Sequence, residues 1–443
     1  MFEEIVDARN LSRRQFLKCA AAAAGAVVAG TAGVRTFLRG EEVAVAAPGA
    51  MTITLWTSAG PRFGLANEAL IKLFQQKHPD IQVRMVTTPI GDYFPKVATE
   101  IGGDTDAYDV ITAIPTFVVA FAKNGKIIDL EPYFTAAEEA DLARDIPQRY
   151  LQTWKYNGRL YAVPNDANCQ LTYYRQDLLQ AAGVRLPTSW EEVPATAKAL
   201  TKNGIYGYTA SLRRGEYAGA HFSSVFWSYG GEWWDGDFHP TIDSEAGRKT
   251  FDVMLACMPY ADPGSINATE DDTINAIASG TAAYAPLLWG TSALTNPKLN
   301  ARAAQTRAAV PPRGGTHPAA PIMGGQAYMI PARAQHKDGA AAFIKFAVSR
   351  EAMPAFVRAT GQPARVSALT RPDNVKFAPY FPALGAALRL AHPQVRITES
   401  FQLLDFLGNE VALVLTKQKS ATQGLADIQR GFLDVLTKGG YIK

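Results

Sequence analysis

The chain has 443 residues, and 44 Lys and Arg stand against 41 Asp and Glu, a formal charge of only +3. That balance excludes a nucleic-acid coat or a polybasic membrane binder, and a hydrophobic share of 47% excludes a disordered or fibrous chain. Cys19, Cys169 and Cys257 are too few and too far apart for a disulfide framework or a thiolate metal cluster, so the fold rests on apolar cores, and this length predicts two domains.

At the N-terminus, Ser12-Arg13-Arg14-Gln15-Phe16-Leu17-Lys18 precedes an apolar run of about fifteen residues, too short to span a bilayer. The pattern resembles the bacterial twin-arginine signal, an address read by the export machinery rather than an anchor. Ala44-Val45-Ala46 supplies a small-residue cleavage pattern, so residues 1–47 are expected to be removed and the mature product to be periplasmic. Cys19 lies at the start of the apolar run, where a lipid-attachment cysteine would not. Beyond residue 50 no uninterrupted apolar run of 18 or more residues occurs, the length a transmembrane helix needs.

Ile53-Thr54-Leu55-Trp56 predicts a strand, and Ala66, Ala69, Leu70, Leu73 and Phe74 follow at helical spacing. Pro79 stops that helix, Ile81, Val83 and Met85 alternate as in a half-buried strand, and Asp109–Ala113 predicts another. Such alternation indicates βαβ units and a mostly parallel sheet. Farther on, Asn157-Gly158 makes a turn, Leu160–Val163 and Leu171–Tyr174 predict strands, and Pro164-Asn165-Asp166 is expected to break the chain between them. Ser189-Trp190-Glu191-Glu192 has capping-box spacing and opens a helix. The stretch 204–240 is the densest aromatic cluster of the chain. A breaker-rich connection at 311–321 precedes a helix marked by Ala340, Phe343, Ile344, Ala347 and Val348.

Asn157-Gly158-Arg159-Leu160-Tyr161-Ala162-Val163-Pro164, Thr172-Tyr173-Tyr174-Arg175-Gln176-Asp177-Leu178 and Pro187-Thr188-Ser189-Trp190-Glu191-Glu192 carry a recognisable family pattern. In this order, together with Ser228-Tyr229-Gly230-Gly231, Trp289 and Gly324-Gly325, they resemble the carbohydrate-type extracellular solute-binding proteins of ABC importers. Arg175 departs from the Asn usual after the tyrosine pair. The resemblance implies an α/β fold of two lobes joined by hinge strands, with ligand in the cleft between them and closure about the hinge. It assigns 51–165 and 323–365 to the N-terminal lobe and 166–322 and 366–443 to the C-terminal lobe. Crossings are expected near Asn165–Cys169, Ala319–Ile322 and Arg365–Leu369.

A sugar or polyol presents hydroxyls and weakly apolar C–H faces, so it calls for flat aromatic surfaces and planar hydrogen-bonding groups. Trp56 and Ser58 close the first strand and Thr116 follows a later one, at the strand ends where open α/β sheets bind ligands. Asn165 and Asp166 follow the proline of the hinge strand, although capping a turn would use them as well. Trp227 and Tyr229 are candidates for ring stacking, and Trp289 stands where the resembling family often stacks a sugar. Gly324, Gly325 and Gln326 would let backbone approach a ligand closely, and Arg365 could donate a bidentate pair of hydrogen bonds or enter a structural ion pair. Core packing competes for each aromatic residue.

No G-x-S-x-G, H-E-x-x-H or G-K-[ST] motif occurs, and the histidines are scattered, so no catalytic residues, metal site or cofactor are assigned. The expected protein is a monomer that delivers a carbohydrate or polyol to the transmembrane subunits of an importer, without contact with nucleic acid. A phosphorylated sugar or polyol is the alternative ligand, and an extracytoplasmic carbohydrate-active enzyme the alternative from another class.

Overall fold

The computed structural model describes residues 50–442, so the export signal and its cleavage site lie outside the described residues. β1 (Met51–Ser58), β2 (Ile81–Thr88) and β3 (Val110–Ala113) alternate with the helices Ala66–Lys77 and Ile90–Gly102. β1 runs parallel to both β2 and β3, as expected of βαβ units. A short hairpin follows, β4 (Lys155–Tyr156) and β5 (Arg159–Leu160), and then β6 (Val163–Arg175), β7 (Tyr284–Trp289), β8 (Thr306–Ala309) and β9 (Met323–Met329). Seven strands form one sheet in the order β2-β1-β3-β9-β6-β7, with β8 also on β6.

Two local expectations need correction. The sheet is mixed rather than mostly parallel, because β9 inserts antiparallel between β3 and β6, and β7 and β8 also run antiparallel to β6. Nor does Pro164-Asn165-Asp166 break the strand. β6 is continuous, and its register on β9 shifts between Pro164 and Asp166, where a bulge accommodates the missing proline N–H.

The architecture is α/β and two-lobed. One apolar cluster gathers Ile53, Leu55, Leu70, Phe74, Ile111, Val163, Met329, Phe343 and Ile344. A second gathers Trp190, Phe222, Phe226, Phe251, Leu407, Ile428 and Phe432, the packed form of the aromatic stretch. Chain neighbours Ile322 and Met323 belong to different clusters, and β6 pairs with β9 through Val163–Cys169 but with β7 through Gln170–Tyr174. The crossing expected near Arg365–Leu369 lies later: Leu369, Phe381 and Leu384 pack into the first cluster, and the chain passes to the second between Ala391 and Ile397.

Local signals hold where their physics is local. Glu192 accepts from the Ser189 backbone N–H at 3.2 Å, and the helix starts as a 3₁₀ turn, Trp190–Glu192, before Val193–Leu200. Among the described residues no helix is long and apolar enough to cross a membrane, and Cys169 and Cys257 are buried free thiols.

Gly325 holds φ 111°, and a Cβ there would stand 2.2 Å from the Asp166 carbonyl oxygen and 2.3 Å from the Tyr150 hydroxyl. Gly325→Ala is therefore expected to cost about 2–4 kcal/mol, from left-handed backbone and overpacking together, measured by urea unfolding. An unchanged midpoint would mean that β6 and β9 can separate at this point without loss.

Candidate functional site

The β6–β9 register brings side chains from four segments together. Asp166 pairs with Gln326, Ala167 with Gly325 and Asn168 with Gly324, while the Ala167 N–H donates to the Gln362 carbonyl at 3.0 Å. Ser58, at the end of β1, accepts a hydrogen bond from Gln326 Nε2 at 3.1 Å. Tyr150 donates its hydroxyl to the Asp166 carbonyl at 2.5 Å. Gln362 Nε2 is placed against the Gly290 carbonyl at 2.6 Å and the Tyr380 hydroxyl at 2.7 Å. Half-buried Trp289, paired with Gln170, lies against Gly324, where a Cβ would come within 2.6 Å of its ring.

Four side-chain amide oxygens in this cluster have no protein partner: those of Asn165, Asn168, Gln326 and Gln362. Their residues are 2–3% exposed. Buried acceptors without donors are costly, and groups that can supply O–H donors, such as ligand hydroxyls or water, would relieve them. Gln170 differs, because its Oε1 accepts from the Ser224 hydroxyl at 2.6 Å.

Asp166 has no exposed surface, and Arg62 grips it with two hydrogen bonds, Nε to Oδ1 at 2.8 Å and a terminal nitrogen to Oδ2 at 2.5 Å. Burial holds the Asp166 carboxyl above its ordinary range, against the opposing pull of the Arg62 guanidinium. Both carboxylate oxygens accept, so the pair is ionic: a protonated oxygen would turn a donor toward a donor. Burial also opposes the Arg62 charge, but Asp166 outweighs it and holds the guanidinium charged. Arg62 keeps about a quarter of its side chain accessible, so the pair is sealed on the Asp166 side and open on the Arg62 side. Glu270, half-buried in the first turn of the helix Glu270–Ser279, is pushed up to about 7 by burial, which Arg62 opposes and Asp271 and Glu216 reinforce.

Of the residues singled out in the sequence, Ser58, Asn165, Asp166, Trp289, Gly324, Gly325 and Gln326 fall in or beside this cluster. Trp56 is buried, its ring stacked on Tyr108 at 4.4 Å and its indole N–H given to Thr88. Thr116 is half-buried in the first turn of the helix Pro115–Lys123. Trp227 and Tyr229 belong to the second core, where the Trp227 ring is stacked on His392 at 3.9 Å. Arg365 is 4% exposed and committed to Asp141 at 2.8 Å, Asp145 at 3.2 Å and the Val348 carbonyl at 2.7 Å. Sequence reasoning missed Arg62, Asn168, Gln362 and Glu270. Arg62 lies just beyond the strand end already flagged at Ser58, so extending that rule by one turn finds it. Among the described residues the one metal-type grouping is Asp235, Asp237 and His239, all exposed on a turn.

Two outcomes follow from these environments. Arg365→Ala is expected to cost about 1.5–3 kcal/mol in urea unfolding, because Asp141, the Val348 carbonyl and buried Asp145 would lose a charged donor, although Arg350 stays on Asp145 at 3.0 Å. An ordinary surface-like loss below about 1 kcal/mol would count against that reading. Ionising Glu270 costs the folded state, since its folded value exceeds the ordinary one, so this contribution is lost as pH rises through about 7. Glu270→Gln should therefore melt above the wild type at about pH 8 and match it at about pH 4. Equal melting at both values would show that burial does not disfavour the charge.

The profile of the bacterial extracellular solute-binding proteins matches residues 62–354, and that of the twin-arginine translocation signal matches residues 10–30. The mannitol-binding protein of Pseudomonas aeruginosa is 26% identical over 423 residues, covering 90% of this chain and 96% of that protein. A probable amino-acid ABC transporter periplasmic-binding protein of Sinorhizobium fredii is 26% identical over 385 residues, covering 82% and 84%. Among solved structures, an ABC transporter solute-binding protein of Agrobacterium radiobacter in complex with ribitol has a TM-score of 0.76 at 26% identity, covering 87% of this chain and 98% of that one. With the family matched over most of its length and an export signal before it, the chain is a periplasmic protein and belongs to the bacterial extracellular solute-binding proteins.

Proposed function

We propose that this protein captures a sugar or polyol at the β6–β9 cluster and delivers it to an ABC importer as a monomer, without catalysis. The observation that carries the reading is the set of four unpartnered amide oxygens on β6, β9 and the adjoining Gln362, in the region where half-buried Trp289 packs on Gly324. Amide oxygens accept from hydroxyls, and an indole face suits the C–H side of a carbon chain or ring. The mannitol-binding relative and the ribitol-bound structure support the ligand class. In this reading Ser58, Asn165, Asn168, Gln326 and Gln362 take the hydroxyls, Gly324 and Gly325 keep the backbone close, and Asp166 acts through Arg62.

The lobe boundaries belong to the same proposal, with the change expected at 365 moved to 391 because Leu369, Phe381 and Leu384 pack with the first cluster: 51–165 with 323–391, and 166–322 with 392–443. β6 then joins the lobes, and ligand bound across it favours the closed form.

A thermal-shift panel of the mature protein against monosaccharides, disaccharides, polyols and amino acids tests this. A hit at a hundredfold excess over Kd should stabilise by about 2.7 kcal/mol. Trp289→Ala should remove most of the shift. A shift given by amino acids alone would replace the polyol reading, and product formed from a hit would overturn the absence of catalysis.

A further inference from the structure

The charges around the cluster narrow the ligand class further, on the footing of the polyol reading above. Arg62 beside the cluster keeps about a quarter of its side chain accessible, and its charge is already answered by the buried Asp166 carboxylate through both oxygens. Arg365, expected from the sequence as a bidentate donor, is held by Asp141 and Asp145. Glu270 at one helix start lies within electrostatic reach of Arg62, with Asp271 and with Glu216 at the start of the helix Glu216–Ser228 adding to the negative field. These two helix starts are tied together: the Arg213 N–H donates to the Ala268 carbonyl at 3.0 Å, and Ser211 and Thr273 share a hydroxyl contact at 2.9 Å. Arg213, lying over the Tyr217 ring at 4.8 Å, answers Glu216. Asp166, Glu270, Asp271 and Glu216, with Asp405 beside Glu216, therefore stand against Arg62 and Arg213, Glu270 adding its charge as pH rises past about 7.

We propose that the Arg62–Asp166 pair, within the field of Glu270, makes the site select uncharged polyols and refuse their phosphate esters. Arg62 retains free N–H donors for a hydroxyl oxygen because only part of its fork is spent on Asp166. It offers no uncompensated charge, so a phosphate would lose its hydration without gaining a counter-ion and would meet the field of Glu270 and Glu216. Asp166 is thus a positioning residue that fixes the guanidinium and cancels its charge. Glu270 sets specificity through its field.

The test is calorimetric titration of the mature protein with D-mannitol, ribitol and their terminal phosphate esters at about pH 8, at low and high salt, for the wild type, Glu270→Gln and Asp166→Asn. The wild type should bind a parent polyol about a hundredfold more tightly than its ester. Added salt should narrow that ratio, and Glu270→Gln should narrow it by about tenfold. Asp166→Asn should narrow it as well, by freeing the Arg62 charge, with folding verified by its melting transition. Esters that bind the wild type as well as the parent polyols would overturn the proposal. So would a ratio unmoved by salt and by Glu270→Gln, since shape would then be what excludes phosphate. Binding of neither polyol nor ester would remove the polyol reading and this inference with it, whereas polyol binding without discrimination removes the inference alone.

Discussion

A carboxylate with no exposed surface in the middle of a strand must have a cation brought to it, and the region around the site is organised by that requirement. Asp166 lies in β6 at the register shift, beside Gln326 of β9 and within reach of the Tyr150 hydroxyl through its carbonyl. Arg62 comes to it from the turn that follows β1. The pair thereby fixes the end of β1 relative to β6, and with it Ser58, whose hydroxyl reaches Gln326. Burial alone would push the Asp166 proton on; the bidentate contact is what keeps both groups charged.

The same accounting separates the uses of arginine in this protein. Arg62 and Arg365 both face buried aspartates, yet Arg365 is nearly sealed while Arg62 stays partly open. A sealed ion pair holds elements together, and a half-open one can do that and still present donors to solvent or solute. The aromatic residues divide in a similar way. Trp56 and Trp227 each have a ring face taken by a protein ring, whereas Trp289 is backed by Gly324 and remains partly accessible.

Much of the architecture was legible because its causes are local. The alternation in Ile81–Met85, the helical spacing of Ala340–Val348 and the Ser189–Glu192 cap each depend on residues within a turn or two. The continuous β6 was not legible, since Pro164-Asn165-Asp166 has the composition of a breaker and only the neighbouring β9 shows that a bulge absorbs it. The site was half legible. Asn165, Asp166 and Gln326 could be named from their place after a hinge proline or beside glycines, but the partner of Asp166 is 104 positions away in sequence. Whether Trp227 met solvent or His392 likewise depended on a segment far along the chain.

The position of β9 also governs when the fold can be completed. β3 and β6 do not pair with each other; β9 joins them, with Ile111 against Met329 and Val163 against Tyr328. A growing chain that has made β1, β2, β3 and β6 therefore holds two unfinished sheet fragments with open edges. They stay open until residues 323–329 leave the ribosome. Closure of the sheet is a late, long-range event, slow relative to the helices around it, and the unpaired edges of β3 and β6 are the surfaces that a nascent chain of this protein must keep from other strands in the meantime.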